Sequence, residues 1–145
     1  MSRFHIHIAV NNLPENIRFY SAMFGTQPTV EKSDYAKWAL DNPAINFAIS
    51  TRGKQPGLDH VGIQADDDSE LKTIQHRLAQ ANIAGVSQEN TACCYAKSDK
   101  YWSVDPQGIA WESFHTLNEI PTFNDGEQPQ TSGCCIPVQT QTPCC

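Results

Sequence analysis

The chain carries little positive charge and has no long apolar stretch. Ten lysine and arginine residues stand against 16 aspartate and glutamate residues, which gives a formal net charge of −6. This balance argues against binding to nucleic acid or to an anionic membrane surface. No apolar stretch approaches the length of a membrane span, and the first residues lack the apolar core of a signal peptide. We therefore expect a cytoplasmic protein with neither a nucleic-acid nor a membrane partner.

Isolated cysteines are also absent. The six cysteines form three adjacent pairs, Cys93-Cys94, Cys134-Cys135 and Cys144-Cys145. A disulfide between neighbours closes a small strained ring, so structural bridges within these pairs are unfavourable, and cytosolic thiols are expected to stay reduced. Two adjacent thiolates suit a soft ion such as trivalent arsenic or cadmium. The pattern indicates a site that binds metals or metalloids.

Two stretches of about 50 residues repeat the same order of predicted elements. In the first, alternating residues from Phe4 to Val10 predict a strand, Asn12 and Gly25 bound a predicted helix, and three short strands follow up to Ser50. The second stretch opens on a predicted strand at 58–64. A capped helix follows it, and then come strands near 85–87, 101–104 and 109–114.

This repeat predicts a single α+β domain over residues 1–117, built from two βαβββ modules at about 1–52 and 57–117. From residue 118 to residue 145 the chain is rich in Pro, Gln, Thr and Gly and poor in apolar residues. That composition predicts a disordered, cysteine-containing tail.

Strand alternation predicts a cluster of metal-binding side chains on one face of the sheet. In each of three strands the apolar residues are expected to face a helix, which leaves His5, His60 and Glu112 on the opposite face. Two imidazoles and one carboxylate suit a mononuclear Fe(II) site with open positions for a substrate and O2. His7 shares this face, so it could instead be the first ligand, a residue that orients a ligand, or a substrate contact.

The pair Cys93-Cys94 places one requirement on the backbone. Adjacent residues of a regular strand point to opposite faces, so chelation by both thiols needs a loop or a bulge at this position. Lys97 and Lys100 follow closely and could lower the pKa of the thiols. We favour the simpler interpretation that both are solvated surface lysines.

Longer strings of residues resemble a known family. Val10–Leu13, leading into Ile17–Gly25, is similar to the vicinal oxygen chelate superfamily of glyoxalases and extradiol dioxygenases, and the similarity spans about residues 3–115. Four shorter strings resemble the ArsI/CadI group of that superfamily: Tyr35–Trp38, Cys93–Lys97, Asp105–Gly108 and Trp111–Leu117.

The resemblance implies a half-barrel metal site and a specific chemistry. ArsI proteins are Fe(II)- and O2-dependent C–As lyases that act on trivalent organoarsenicals such as methylarsonous acid, whereas CadI proteins are named for induction by cadmium. By this resemblance Fe(II) would be held by His5, His60 and Glu112, and the arsenic by catalytic thiols of Cys93 and Cys94.

Several alternatives stay open at this stage. A CadI-like protein could sequester cadmium or arsenite without turnover, and a lactoylglutathione lyase or a ring-cleaving dioxygenase would share the fold but would not need vicinal thiols. The sequence assigns no role to the four tail cysteines. It also leaves open the preferred organic group on arsenic, the choice between monomer and homodimer, and whether the modules pair within one chain or across two.

Overall fold

The predicted order of strands and helices is confirmed. A computed structural model describes residues 1–53 and 55–123. Its elements are β1 (Arg3–Ala9), α1 (Leu13–Phe24), β2 (Val30–Glu31), β3 (Tyr35–Asp41), β4 (Ala44–Ser50), β5 (Gly57–Gln64), α2 (Asp68–Gln80), β6 (Val86–Cys93), β7 (Ala96–Val104) and β8 (Ala110–Glu119). Each half of the chain is one βαβββ unit of an α+β fold. Within these residues, neither helix is long and apolar enough to cross a membrane.

Both helices begin and end at residues that satisfy their backbone groups. The Asn12 side chain accepts a hydrogen bond from the Glu15 N–H at 3.0 Å, and that of Asp67 accepts one from the Glu70 N–H at 2.9 Å. Gly25 ends α1 in the left-handed conformation, with φ of 68°. The helix boundaries predicted at Asn12 and Gly25 are therefore confirmed.

All eight strands form one sheet in the order β2-β3-β4-β1-β5-β8-β7-β6. β1 and β5 pair antiparallel at its centre and join the two modules. The sheet is strongly curled, since Tyr35 on β3 reaches Tyr95 between β6 and β7, with ring centroids 5.6 Å apart. The Tyr95 hydroxyl also donates a hydrogen bond to Asp34. The two ends of the sheet therefore meet across a concave face, which confirms the predicted half-barrel.

The predicted assignment of strand faces is also confirmed. Ile6 and Ile8 of β1 pack against the apolar core, on the side that carries the helices. His5 and His7 are buried on the opposite, concave side of the sheet. The buried members of the core beneath α1 are Val10, Leu13, Ala36, Trp38, Phe47 and Ile49.

The outer strands of the second module are longer than predicted. β6 runs to Cys93 and β7 begins at Ala96, whereas the sequence predicted strands only near 85–87 and 101–104. The start of β7 carries Lys97, Asp99 and Lys100, which interrupt the apolar alternation by which a strand is recognised.

The folded domain also extends beyond its predicted end at residue 117. β8 continues to Glu119, and the Ile120 N–H donates a hydrogen bond to the Tyr95 carbonyl at 2.8 Å. The Phe123 side chain is buried against the curled edges of the sheet. Residues 118–123 of the predicted tail are thus part of the domain, because Phe123 has an apolar partner surface that the sequence does not reveal. The rest of the predicted tail, with its four cysteines, lies outside the described residues.

Candidate metal centre and thiol pair

Three buried side chains converge at the centre of the concave face. The Nε2 atoms of His5 and His60 are 3.1 Å apart, and one carboxylate oxygen of Glu112 lies 3.2 Å from His60 Nε2 and 3.4 Å from His5 Nε2. Neighbouring ligands of an octahedral ion with bonds of about 2.1 Å are about 3.0 Å apart. The spacing and the chemistry of this donor set therefore fit one divalent metal ion.

Hydrogen bonds on the far side of each imidazole fix its orientation. His5 Nδ1 lies 3.0 Å from the Asn46 carbonyl oxygen. A carbonyl oxygen can only accept a hydrogen bond, so Nδ1 carries the proton of the ring and donates it. His60 Nδ1 lies 2.7 Å from the carboxylate of Asp59. Both contacts turn the Nε2 atoms toward Glu112, as is usual for histidines that bind metals.

The electrostatics of the site favour the protonation states of His5 and Glu112 that can bind a metal. Burial, with a smaller contribution from the charge of His60, lowers the pKa of His5 to about 3. Burial would also lower the pKa of His60, but hydrogen bonds to Asp59 and Glu112 outweigh it and raise that pKa to about 9. Burial opposes the charge of Glu112, yet Lys100 and His60 hold its pKa well below the usual value. His5 is therefore neutral and Glu112 anionic at neutral pH, whereas a metal would displace a proton from His60.

His7 is a fourth potential donor beside this triad. Ligand nitrogens of His5, His7 and His60 all lie within 4.8 Å of one another. His7 Nε2 also lies 2.9 Å from the Ser50 hydroxyl. Because His5 lies close to both His60 and Glu112, we favour His5 as the first ligand and His7 as a neighbour that contacts the substrate. Both assignments remain predictions.

A glycine that sequence reasoning overlooked separates two members of the triad. On the sheet Gly62 of β5 pairs with His5 of β1 on one side and with Glu112 of β8 on the other. A Cβ at position 62 would lie 1.8 Å from the Glu112 backbone oxygen. The missing side chain therefore allows β5 and β8 to approach closely enough for the two donors to meet.

We expect Gly62→Ala to disrupt the site from the backbone. Since the added carbon overlaps backbone rather than a flexible side chain, β8 must shift, at a cost of about 3 kcal/mol in the free energy of unfolding. Metal affinity should fall by at least about tenfold, because Glu112 moves with its strand. Denaturant unfolding and Fe(II) titration on the same sample measure both effects. Wild-type stability together with wild-type affinity would contradict this account of Gly62.

Lys100 corrects one of our expectations, because it is not a solvated surface lysine. Its side chain is 5 % exposed, and Nζ lies 2.5 Å from the second carboxylate oxygen of Glu112. A lysine is buried in this way only when an anion compensates its charge. Lys100 therefore stabilises the charged form of Glu112, whereas its position in the sequence pointed only to the nearby thiols. Lys97 is half-buried at the start of β7.

The Cys93-Cys94 pair lies in the hairpin that joins β6 to β7. Cys93 ends β6 opposite Ala96, and the two residues between them, Cys94 and Tyr95, have positive φ of 56° and 63°. This tight turn is uncommon for residues other than Gly and Asn. It breaks the strand alternation, so the two sulfurs lie 3.3 Å apart. The turn required for chelation by both thiols is thus present, but Cys93 is disulfide-bonded in this structure and must be reduced before both sulfurs can bind one ion.

The sulfur spacing suits a soft ion. Bonds of about 2.3 Å from one ion to two thiolates, meeting near a right angle, span about 3.3 Å. The hairpin packs against Tyr35 and Ala48 on the concave face. Tyr35 lies 6.1 Å from the His7 ring, which is in turn 5.0 Å from the His60 ring. His7 and Tyr35 therefore connect the thiol pair to the triad of His5, His60 and Glu112 along one surface.

The comparisons with known proteins agree with this geometry. Residues 3–113 match the Glyoxalase/Bleomycin resistance protein/Dioxygenase superfamily. A trivalent organoarsenical cleaving enzyme of Bacillus sp. (strain MD1) is 38% identical over 146 residues, covering 97% of this chain and 88% of that protein. The cadmium-induced protein CadI of Mycobacterium bovis is 30% identical over 142 residues, covering 93% of each chain.

A solved structure shows the same fold at low sequence identity. The Mn(II)-bound glyoxalase from Novosphingobium aromaticivorans is 15% identical and has a TM-score of 0.59, covering 83% of this chain and 42% of the other. Together with the sequence relatives, this likeness accounts for the paired modules and the concave face. The chain therefore belongs to the Glyoxalase/Bleomycin resistance protein/Dioxygenase superfamily, within the group that includes the organoarsenical cleaving enzymes and the CadI proteins.

Proposed function

We propose that this protein is a C–As lyase that uses Fe(II) and O2 to cleave trivalent organoarsenicals such as methylarsonous acid. The observation that carries the proposal is the presence of two different sites on one concave face. A two-histidine, one-carboxylate triad lies at its centre, and a thiol pair with the spacing of a chelate lies at its edge. The names of the relatives support the same substrate class.

Capture of the substrate is the task of the thiol pair. The thiols of Cys93 and Cys94 would each replace one hydroxyl of a trivalent R–As(OH)2 unit, which forms two As–S bonds and releases two water molecules. A soft thiolate binds trivalent arsenic better than a hard oxygen ligand does. A substrate held by both sulfurs loses much of its freedom to turn, and Tyr35 and His7 lie between the hairpin and the triad.

The triad and its surroundings complete the reaction. Bound Fe(II), held by His5, His60 and Glu112, would supply open coordination positions and electrons for O2. The buried Trp102 ring lies next to the His60 ring, with centroids 5.2 Å apart, and the buried Phe114 ring lies 5.1 Å from the His5 ring. These two aromatic side chains exclude bulk water from one side of the triad. Lys100 and Asp59 hold Glu112 and His60 in place.

The overall reaction balances without an added reductant. Methylarsonous acid and O2 together contain the atoms of one arsenous acid and one formaldehyde. The carbon gives up four electrons and O2 accepts four, while arsenic keeps its trivalent state. The As–C bond breaks, one oxygen atom is bonded to the carbon, and the other completes the arsenous acid.

Sequestration without turnover is the second candidate. The likeness to the CadI protein and the three cysteine pairs favour it. However, sequestration by thiols gives no reason for a buried triad with oriented imidazoles. The triad therefore favours the enzyme.

Arsenic speciation distinguishes the two candidates. The full chain is reduced, because Cys93 is disulfide-bonded in this structure, and is then loaded anaerobically with Fe(II) before methylarsonous acid and O2 are added. We expect repeated release of inorganic arsenite and an equal amount of formaldehyde, and none when O2 is withheld. Stoichiometric binding of arsenic with no arsenite released under O2 would reject the lyase and favour sequestration.

A further inference from the structure

The turn that carries the thiol pair has a backbone conformation that its residues do not favour. Cys94 and Tyr95 both have positive φ, at 56° and 63°, although neither is a glycine or an asparagine. In this left-handed region the Cβ of an L-residue comes too close to the following carbonyl oxygen. Such residues persist only where the surrounding structure fixes them by several contacts. The conformation that brings the two sulfurs together must therefore be held by contacts from outside the turn.

Tyr95 makes such contacts with its backbone and with its ring. Its carbonyl oxygen accepts a hydrogen bond from the Ile120 N–H at 2.8 Å, and its own N–H donates one to the Phe123 carbonyl oxygen at 3.4 Å. The Tyr95 ring lies 5.6 Å from the Tyr35 ring and 5.6 Å from the Phe123 ring, measured between centroids. The turn is therefore attached both to β3 of the first module and to the segment that follows β8.

The Tyr95 hydroxyl adds a link to the first module. It donates a hydrogen bond to one carboxylate oxygen of Asp34, the residue before β3. The other carboxylate oxygen of Asp34 forms an ion pair with Arg52, two residues after the end of β4. The Arg52 guanidinium lies over the Phe123 ring, 3.9 Å from its centroid. The Asp34 side chain is only 18 % exposed, so the acceptor for the Tyr95 hydroxyl is held in place and partly shielded from water.

The same contacts hold the thiols against the concave face. Cys93, Tyr35 and Phe123 belong to one buried cluster, against which Cys94 and Tyr95 also pack. The metal-binding triad, in contrast, lies on the central strands β1, β5 and β8. A change at the Tyr95 hydroxyl should therefore act on the thiol pair and leave the triad in place.

We propose that Tyr95 is a positioning residue for substrate capture: its hydroxyl, bound to Asp34 across the two modules, keeps the Cys93-Cys94 turn in the conformation in which both sulfurs reach one ion. A site that is already held in its bound conformation loses less freedom when the ligand arrives, so it binds more tightly. The role in capture rests on the proposed function. The effect on the thiol pair can nevertheless be measured without iron and without O2.

The test measures the binding of trivalent arsenic by these two thiols alone. In the full chain the four tail cysteines are replaced with serine, which leaves Cys93 and Cys94 as the only cysteines, and a phosphine keeps the protein reduced. Phenylarsine oxide is the probe, and its affinity is determined by competition with dithiothreitol. We expect Tyr95→Phe to weaken binding roughly tenfold, the lower end of what a hydrogen bond to a charged group contributes.

A double-mutant cycle identifies the hydrogen bond as the cause. Asp34→Ala removes the acceptor, so Tyr95→Phe should weaken binding no further in that background. Asp34→Asn keeps an acceptor oxygen but loses the charge that pairs with Arg52, so it should bind the probe more tightly than Asp34→Ala. Equal affinities of Asp34→Asn and Asp34→Ala, or additive losses in the double variant, would overturn the proposal.

Two further measurements separate positioning from a general loss of structure. Tyr101→Phe removes a hydroxyl from the same hairpin at its far end, where Tyr101 pairs with Ser87, and should leave the probe affinity unchanged. The Fe(II) affinity of Tyr95→Phe should equal that of the wild type. If Tyr101→Phe weakened probe binding as much as Tyr95→Phe, or if Tyr95→Phe lost Fe(II) affinity to the same degree, the hydroxyl would have only a structural role and the proposal would fail.

Arsenite release under O2, measured on iron-loaded wild-type protein and Tyr95→Phe, distinguishes failure of this proposal from failure of the lyase. If Tyr95→Phe binds the probe tenfold more weakly but the wild type releases no arsenite, the lyase proposal fails and the positioning of the thiols by Tyr95 stands. If the two proteins share one probe affinity while both release arsenite, only the role of Tyr95 is rejected.

Discussion

Replacing His60 or Glu112 with alanine is expected to remove stoichiometric Fe(II) binding and arsenite release, while the far-UV circular dichroism stays near that of the wild type. Loss of an outer-sphere partner typically costs tenfold to a hundredfold in metal affinity, so loss of a ligand should cost at least about a hundredfold. The ligand atoms of the triad lie within 3.4 Å of one another, so each is expected to supply one bond to the same ion. Fe(II) titration with a colorimetric chelator measures the loss.

The two variants should differ in stability. Glu112→Ala leaves the buried ammonium of Lys100 without its carboxylate, which should cost about 3 to 5 kcal/mol in the free energy of unfolding. The double variant Glu112→Ala with Lys100→Met should recover part of that stability but none of the iron. His76→Ala, on the exposed side of α2, serves as the control for loss of a histidine. Stoichiometric iron and normal rates in His60→Ala or Glu112→Ala would refute the assignment.

The choice between His5 and His7 follows from the same titration. His5 lies close to both other members of the triad, so His5→Ala should weaken Fe(II) binding more than His7→Ala. The reverse order would move the first ligand to His7.

Cys93→Ser and Cys94→Ser are each expected to abolish cleavage of trivalent organoarsenicals and to leave Fe(II) affinity nearly unchanged. A hydroxyl is a hard and weakly acidic ligand, so it cannot replace a thiolate on a soft centre. The thiols also belong to the hairpin rather than to the central strands that carry the triad. Arsenite released per bound iron, with both quantities measured on one sample, isolates the capture step.

The oxidation state of the substrate provides the matching control. Wild-type protein should not act on pentavalent organoarsenicals, because capture by two thiolates requires trivalent arsenic. If the double serine variant released arsenite at the wild-type rate, the thiols would be incidental residues of a turn and the capture mechanism would be wrong.

The sequence by itself determined the modules and the faces of the strands. Alternation along β1 placed His5 and His7 opposite Ile6 and Ile8, and this holds in the structure because the two-residue period is a property of the local backbone. The helix ends at Asn12 and Gly25 could also be predicted from the sequence, because a cap interacts with backbone groups within one turn of the helix. Cys93 and Cys94 are neighbours in the sequence, so their proximity could be predicted without knowledge of the fold.

The tertiary structure decided which side chains meet. The approach of His5, His60 and Glu112 depends on the strand order β1-β5-β8 and on the missing side chain of Gly62, and neither leaves a local pattern. Lys100 looked solvated because hydropathy ignores its partner Glu112, and Tyr35 meets Tyr95 only when the two ends of the sheet curl together. Periodicity shows which face of the sheet a residue occupies. The distances between side chains on different strands are set by long-range strand pairing and by the burial of opposite charges against each other.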